Sequence, residues 1–328
     1  MITVKDVAKL AGVSEKTAMR ALSGQTIGKR SDAKERADKV RAAAAQLGYR
    51  QSALAKSLRQ KKTNKIGLVI GSITNRYYAS LAEVALQACE KLGYKLIIEL
   101  TFGDYKKAFN SIESLLENRV DGIFYASTYS ENMKEKLQEM HNLGVPMVGL
   151  YANKYIPAVR RYHDNALMQA VKYLKEKNIK KITFAYWFSN TINDQLQSDL
   201  FCKICKENEV ETKIVPLYAL ADIEKLADDE AIICDAPYCL KHFYDVCTAE
   251  VKPEVIGIYD EWNYIEHPQN ISGAIIIPTE KQVIDAVNTL ISEIEQREFV
   301  QMEHQAAFYP KEQIKDIIGK DMAFLHIP

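Results

Sequence analysis

Short apolar runs alternate with amphipathic segments from Lys65 onward, and this alternation limits the fold more than any other feature of the chain. The runs predicted as strands are 66–70, 95–100, 122–126, 146–150, 182–186, 213–217, 231–234, 255–259 and 273–277. The segments predicted as helices are 79–92, 105–118, 132–143, 167–177, 195–208 and 240–246. Strands and helices at this spacing form right-handed β-α-β units with parallel sheets. A second series begins near Val159, so the pattern predicts an α/β fold of two similar, doubly wound lobes.

The amino-terminal fifth of the chain differs from the rest in charge. Residues 1–65 hold sixteen Lys and Arg against five Asp and Glu, a net charge of +11, whereas the whole chain has a formal charge of zero. The remainder therefore carries a net charge of −11. Such asymmetry is typical of a segment that binds a polyanion, although a basic solvated tail would give the same charge.

Two short helices are predicted within this basic segment. Thr3 can cap a helix over 4–10 and Ser14 can cap a second over 15–22, with Gly12 in the turn between them. Their apolar positions would pack the two helices together. The pattern predicts an all-α helix-turn-helix whose second helix enters the major groove of DNA, rather than a plain helical hairpin with a solvated face. Its outward-facing residues are Glu15, Lys16, Thr17 and Arg20. Together with Thr3 and Ser14, they are the predicted DNA contacts of these two helices.

A third helix and a short segment complete the basic region. The third helix is predicted over 32–47 and ends at Gly48, a residue that stops helices. Residues 51–60 have helical propensity but are too few to form a stable helix alone in water. We expect this segment to order only on DNA, where Leu58 would push an apolar wedge into the minor groove.

The distribution of the cysteines and the hydropathy of the chain indicate in which cellular compartment the protein works. The six cysteines are scattered, and we interpret them as free thiols in a reducing environment. Cys202 and Cys205 form a C-x-x-C inside a predicted helix without a second pair, so thiols are favoured over zinc. The sequence has no apolar run of about 18 residues and no apolar core of an export signal near its start. We predict a cytoplasmic protein without metal, cofactor or membrane association.

Three blocks of the basic segment carry a family resemblance. They are VKDVAKLAGVS (4–14), LGYR (47–50) and ALAKSLR (53–59). In this order they resemble the lactose-repressor (LacI/GalR) family of transcriptional regulators. The resemblance implies that residues 1–50 are the DNA-binding domain and 51–63 the hinge helix and linker. The residues that it implies as readers of bases or phosphates are Glu15, Lys16 and Arg20, and those of the minor-groove wedge are Leu58 with Ala55 and Arg59.

Shorter blocks of the same family continue through the chain. They are Gly93-Tyr94, Arg119–Gly122, Gly144–Pro146, His163–Asn165, Gly257–Asp260 and Pro278. The resemblance therefore covers essentially the whole chain. It implies a periplasmic-binding-protein-like core over 64–328, with three crossovers between its lobes. The first lobe would comprise about 64–162 and 279–308, and the second about 163–278 and 309–328.

Candidate effector residues follow the predicted strands, because ligands in such folds bind beyond the carboxyl ends of the strands. Asn75, Tyr77 and Tyr78 follow the first strand, and adjacent aromatic rings can stack on a sugar-like face, although Tyr also fills cores. Asp260 directly follows a strand, where it would accept hydrogen bonds from a ligand or else cap a helix. Further candidates are Thr191, Asn193, Gln197 and Asp235.

At three places where the family has residues associated with effector binding, this chain has different residues. The family's effector-binding Arg aligns with Gln197, its Asn-Asp pair with Ala236-Pro237, and a Gln with Ile277. Because an Arg side chain pairs with carboxylates and vicinal oxygens, its absence changes what the site can hold. We predict a carbohydrate-related small-molecule effector.

These observations predict a sequence-specific regulator of transcription, a repressor, that binds operator DNA as a homodimer or tetramer. Whether the effector induces or co-represses stays open. An enzyme is the first alternative, but the sequence has no Gly-rich phosphate loop, no Gly-x-Ser-x-Gly and only dispersed histidines. A solute-binding transport protein is the second, and the basic DNA-binding segment argues against it. We predict that the chain is not an enzyme.

Overall fold

A computed structural model describes residues 2–23, 31–49, 62–127, 133–150, 156–187, 192–246, 253–260, 271–297 and 303–314. The chain divides into two compact units, Met1–Thr63 and Asn64–Pro328. In the described residues no helix has both the length and the apolar character needed to cross a membrane.

The first unit is helical. Its described helices are α1 (Val4–Ala11), α2 (Glu15–Leu22) and α3 (Ser31–Gln46). Their apolar faces meet in a small core in which Val7, Ala18 and Val40 have no exposed surface. Since apolar residues recur at helical spacing, each helix presents one face to the other two. The three helices predicted for this region are confirmed, with ends that differ by at most one residue.

Gly12 makes the tight turn between α1 and α2. Its φ of 66° lies in the left-handed region, where glycine has no steric penalty. The N–H of Val13 then bonds to the carbonyl of Ala8 at 3.0 Å, which closes the carboxyl end of α1. The chain can thus leave α1 and enter α2 within three residues.

The second unit alternates strands with helices. Its strands are β1 (Lys65–Ile70), β2 (Lys95–Leu100), β3 (Gly122–Tyr125), β4 (Met147–Gly149), β5 (Arg160–Tyr162), β6 (Lys181–Trp187), β7 (Glu211–Leu217), β8 (Ala231–Asp235), β9 (Glu254–Asp260), β10 (Gly273–Ile277), β11 (Glu303–Gln305) and β12 (Ala307–Pro310). Its helices are α4 (Arg76–Lys91), α5 (Tyr105–Glu117), α6 (Lys134–Asn142), α7 (Asp164–Glu176), α8 (Ile192–Glu207), α9 (Pro237–Val246) and α10 (Thr279–Ile294), with a 3-10 helix at Leu220–Leu226.

The first lobe is a parallel sheet in the order β2-β1-β3-β4, with helices on both faces. Leu68 and its neighbours on one face pack against α4 and α10, whereas Val69 packs with residues of α5 and α6. Both side chains are fully buried. A strand that is apolar on both sides is typical of a doubly wound parallel sheet, and the predicted fold class is confirmed.

The second lobe is a six-stranded sheet in the order β12-β10-β9-β8-β6-β7. Its strands are parallel except β12, which runs antiparallel to β10 at the edge. Separate apolar clusters cover the two faces, one around Phe184 and Phe201 and one around Phe243 and Leu240. The expectation of wholly parallel sheets was therefore wrong at this edge.

Three connections join the lobes. The chain leaves the first lobe through β5, returns to it at Pro278 just before α10, and leaves again through β11. β5 and β11 pair in parallel and form a separate two-stranded sheet. Because β12 belongs to the second sheet, the last crossover lies before Ala307 rather than after residue 308 as we expected.

Candidate DNA-binding and effector sites

The exposed face of α2 carries the residues predicted to read DNA. Ala18 and Ala21 are buried against the other helices, so positions on the opposite side of α2 face solvent. Glu15, Lys16 and Arg20 are all exposed. Two cations and a carboxylate on one solvent-facing side of a short helix can bond to base edges and phosphates.

Ser14 caps α2, as its position predicted. Its Oγ accepts a hydrogen bond from the Thr17 N–H at 3.2 Å and lies 2.9 Å from the Thr17 hydroxyl. Thr17 is half-buried and its hydroxyl is engaged with the cap. The contact of Ser14 and Thr17 with DNA stays a prediction, and the structure gives both residues a role in holding the amino end of α2.

Thr3 lies at the position that precedes α1, but Asp6 makes the capping contact. The Asp6 carboxylate accepts hydrogen bonds from the backbone N–H of Thr3 at 2.8 Å and from its hydroxyl at 2.7 Å. These bonds, the backbone one first, lower the pKa of Asp6. Thr3 is exposed beside the start of α1, and its contact with DNA stays a prediction. The wedge residues Ala55, Leu58 and Arg59 lie outside the described residues.

The entrance to α4 brings together the candidates of the first lobe. Asn75 caps α4, since its Oδ1 accepts from the N–H of Tyr77 at 3.0 Å. The rings of Tyr77 and Tyr78 pack edge to face, with centroids 5.2 Å apart, and both are half-buried. A Cβ atom at Gly71 would lie 2.4 Å from the Tyr78 ring, so only glycine lets this ring cover the end of β1. Tyr78 thus packs against the apolar core of the first lobe and also lies at the carboxyl end of β1.

Two buried hydroxyls at the same edge were not predicted. Thr101 follows β2 and Ser127 follows β3, and their side-chain oxygens lie 2.7 Å apart with both residues 1% exposed. Burial, and then the neighbouring Tyr78 phenol, raise the pKa of Tyr125 well above its ordinary range. The available signal was position alone, because Thr101 comes directly after β2 and Ser127 comes two residues after β3.

Two carboxylates lie at the carboxyl edge of the second sheet. Asp235 ends β8 and Asp260 ends β9, as expected for residues that line the ligand edge of parallel strands. The hydroxyl of Thr279, the first residue of α10, donates a hydrogen bond to Oδ1 of Asp260. Trp187, which ends β6 at the same edge, is half-buried and was not predicted.

The remaining effector candidates belong to α8 or precede it. Gln197 is half-buried on this helix. Asn193 lies in its first turn by backbone, and Thr191 lies outside the described residues. The described candidates of each lobe therefore occupy the carboxyl edge of its sheet or a helix beside it.

The described thiols are free. Cys89, Cys202, Cys205, Cys234 and Cys239 form no disulfide. Burial raises the pKa of Cys205 to about 12, so this thiol is protonated and unreactive at neutral pH. Among the described residues no group of three or more His, Cys, Asp and Glu could hold a metal ion.

A helix-turn-helix unit joined to two doubly wound lobes defines a class, the bacterial regulators with a periplasmic-binding-protein-like core. Two family profiles agree with this class. The profile of bacterial regulatory proteins of the lacI family matches residues 3–52, and that of periplasmic binding proteins and the sugar-binding domain of the LacI family matches 63–199. The chain belongs to the lacI family.

Curated relatives agree with the family, and solved structures agree with the fold. The ribose operon repressor of Escherichia coli K12 is 31% identical over 185 residues, 56% of this chain and 54% of that repressor. Catabolite control protein A of Priestia megaterium is 31% identical over 186 residues, with the same two shares. The match thus spans about half the length of these relatives. The Lac repressor bound to ONPG has a TM-score of 0.80 at 15% identity, over 94% of this chain and 99% of that chain, a likeness of fold.

Proposed function

We propose that the chain represses transcription by binding operator DNA through α1 and α2, with an affinity set by a small molecule at the carboxyl edges of the two large sheets. The observation that carries this proposal is the solvent-facing Glu15, Lys16 and Arg20 on a capped helix of a basic unit. The family profile over residues 3–52 supports it. Operator and effector would be present together in the cytoplasm, and we assign the chain no catalytic step.

Footprinting of the full chain on the region upstream of its own operon tests the proposal. At fixed salt and with excess unrelated DNA, we expect a protected segment with two related half-sites, because a dimer presents two reading helices. Uniform binding to unrelated DNA, without a protected segment, would refute sequence-specific repression.

The effector is proposed to be a carbohydrate. The tyrosine pair can stack on a sugar ring, and Asp235 and Asp260 can accept hydrogen bonds from its hydroxyls. The name of the ribose operon repressor and the family's sugar-binding domain point the same way. A thermal-shift screen of pentoses, hexoses and disaccharides should find a ligand that raises the melting temperature and changes operator affinity. A nucleobase that does both, with no sugar active, would correct the ligand class.

A homodimer is proposed through the first lobe. β2 is the edge strand of its sheet, and Ile98 on it and Leu86 on α4 are 40% and 39% exposed. Ile98 is two residues from both Leu96 and Leu100, so its side chain lies on the same face of the sheet as theirs. That face packs against α4. Apolar side chains around an open strand edge are typical of a surface that pairs with a second copy.

Ile98→Asp is expected to raise the dimer dissociation constant by about tenfold or more, because a carboxylate would be buried in the interface. Sedimentation over a dilution series measures it. Phe109→Asp is the matched control, since Phe109 is 42% exposed but lies on α5, on the other side of the sheet. Equal weakening by the two variants, or none by either, would place the dimer contact elsewhere.

Leu58→Ala is expected to weaken operator binding by about 10- to 100-fold and to leave binding of random DNA at low salt nearly unchanged. A minor-groove wedge acts through DNA deformation, whereas cations act through counterion release. Arg59→Ala is the control and should weaken both kinds of binding and reduce the salt dependence. An equal loss on operator and random DNA for Leu58→Ala would refute the wedge.

A further inference from the structure

One buried face of α10 is polar. Gln282, Asp285 and Thr289 are spaced three and four residues apart, so they lie on one side of the helix. They are 0%, 8% and 6% exposed. The neighbouring face, with Val283 and Val287, packs into the apolar core of the first lobe. Polar side chains at this depth cost free energy unless they are hydrogen-bonded, which suggests that they serve a purpose other than packing.

His304 on β11 meets this polar face. Its Nε2 atom lies 2.9 Å from Oδ2 of Asp285, and the two side chains are only 6% and 11% exposed. The described residues provide neither atom with a well-aligned hydrogen bond, so the two groups touch without reaching linear geometry. The contact is therefore a buried polar pair that a small movement would strengthen or break.

Gln282 lies one turn before Asp285 and is fully buried. Neither Nε2 nor Oε1 of its amide has a hydrogen-bond partner among the described residues. An unsatisfied buried amide costs about as much as a lost hydrogen bond. Gln282 and Asp285 are about 5 Å apart along the helix axis, so a shift of His304 by that length along α10 toward its amino end would bring it to Gln282. A second arrangement of β11 and α10 would thus give the Gln282 amide a hydrogen-bond partner, which it does not have among the described residues in this arrangement.

The pair lies where the chain crosses between lobes. β11 leads from α10 to β12 in the second sheet and pairs with β5, the other strand that leaves the first lobe. At its other end, α10 begins with Thr279, which donates to Asp260 at the end of β9. Any movement of one lobe against the other must alter these connections.

We propose that His304 and Asp285 form a latch that holds the crossover strand β11 on α10, and that His304 passes to Gln282 when the lobes move. The regulatory meaning of the latch rests on the proposed function, because an effector would act by changing the population of the latched state. The latch itself is a property of the lobes and is measured without DNA or effector.

Hydrogen exchange of the full chain, followed by mass spectrometry, tests the latch. In His304→Leu and in Asp285→Asn, the amides of β5 and β11 are expected to exchange about tenfold faster or more, and those of β1 and β9 at the rate of the unmodified chain. The double variant should exchange little faster than either single one, because the second change finds the contact already broken.

Two further variants keep the test decisive. Thr183→Val removes the hydrogen bond from the buried Thr183 hydroxyl to the half-buried Asp229, 2.9 Å long, inside the second lobe and away from the crossovers. It should leave exchange at β5 and β11 unchanged. Gln282→Leu removes the alternative partner and should slow exchange at β11. Unchanged β5 and β11 in His304→Leu, a uniform rise over the chain, or a rise at β11 in Gln282→Leu would overturn the latch. Failure of the proposed function would be seen separately, as an absent footprint.

Discussion

Replacing Arg20 with Ala is expected to weaken operator binding by about 10- to 100-fold, the effect of losing one guanidinium contact to a base or phosphate. Arg20 is exposed on the side of α2 opposite Ala18 and Ala21. Alanine is a good helix former and the site is outside the small core, so the unit should melt at its normal temperature. Fluorescence anisotropy at fixed salt gives the affinity, and circular dichroism gives the melting.

The same variant separates the two roles open to Arg20. If it reads a guanine edge, the loss falls on operator DNA and specificity relaxes at one base position. If it grips a phosphate, affinity falls on all DNA alike and the slope of log affinity against log salt decreases by about one. Both outcomes keep the proposed interface.

Arg41→Ala is the matched control for Arg20. It removes the same charge from α3, where Arg41 is exposed and paired with Asp38 at 2.9 Å. We expect a loss of less than about threefold, since only the long-range field changes. Equal losses for Arg20→Ala and Arg41→Ala would mean that α2 is not the reading helix.

Local patterns predicted the helical unit because its structure depends on short-range rules. Helical spacing of small apolar residues, Ser14 as a cap and Gly12 in a left-handed turn together determine α1 and α2. Where predicted ends failed, a local signal was missed. α4 begins three residues earlier than expected because Asn75 caps it, and α9 begins at Pro237, a residue suited to the first helical turn.

The crossovers could not be predicted in the same way. α10 was not among the predicted elements, although its apolar face completes the core of the first lobe. β12 joins the second sheet antiparallel, a pairing of residues 273–276 with 307–310 that no local pattern reports. Connections of this kind follow from contacts between distant segments, so sequence periodicity is silent about them.

The candidate sites also combine features that local sequence predicts with features that depend on contacts between distant segments. Position after a strand was enough to select Asp235, Asp260 and the tyrosine pair, because parallel strands bring their carboxyl ends to one edge. Their partners were not predictable. The bond from Thr279 to Asp260 and the hydroxyl pair of Thr101 and Ser127 join residues 19 and 26 positions apart. Hydrogen bonds between side chains that are distant in sequence can be identified only once the fold is known.

A Val40→Asp variant is expected to unfold the amino-terminal unit and to abolish operator binding. The second unit, from Asn64 onward, should keep its stability. Val40 has no exposed surface and packs with Val7 and Ala18 in the small core of the three helices. An unpaired carboxylate there costs several kcal/mol. A unit of this size has a stability of only about 5 kcal/mol, so the loss removes most of it. The core forms a separate compact unit from Asn64 and has its own apolar clusters.

Two measurements check this expectation together. Calorimetry should show the main transition of the core at its normal temperature, and limited proteolysis should cut Val40→Asp within residues 1–63 and leave the remainder intact. Ala42→Asp is the matched control, because it places the same carboxylate on α3 at an exposed position and should leave the unit folded. If Val40→Asp kept its helical content, the three helices would not depend on this cluster. If it lowered the main transition as well, the two units would fold as one, because a carboxylate buried in one of two independent cores cannot change the melting of the other.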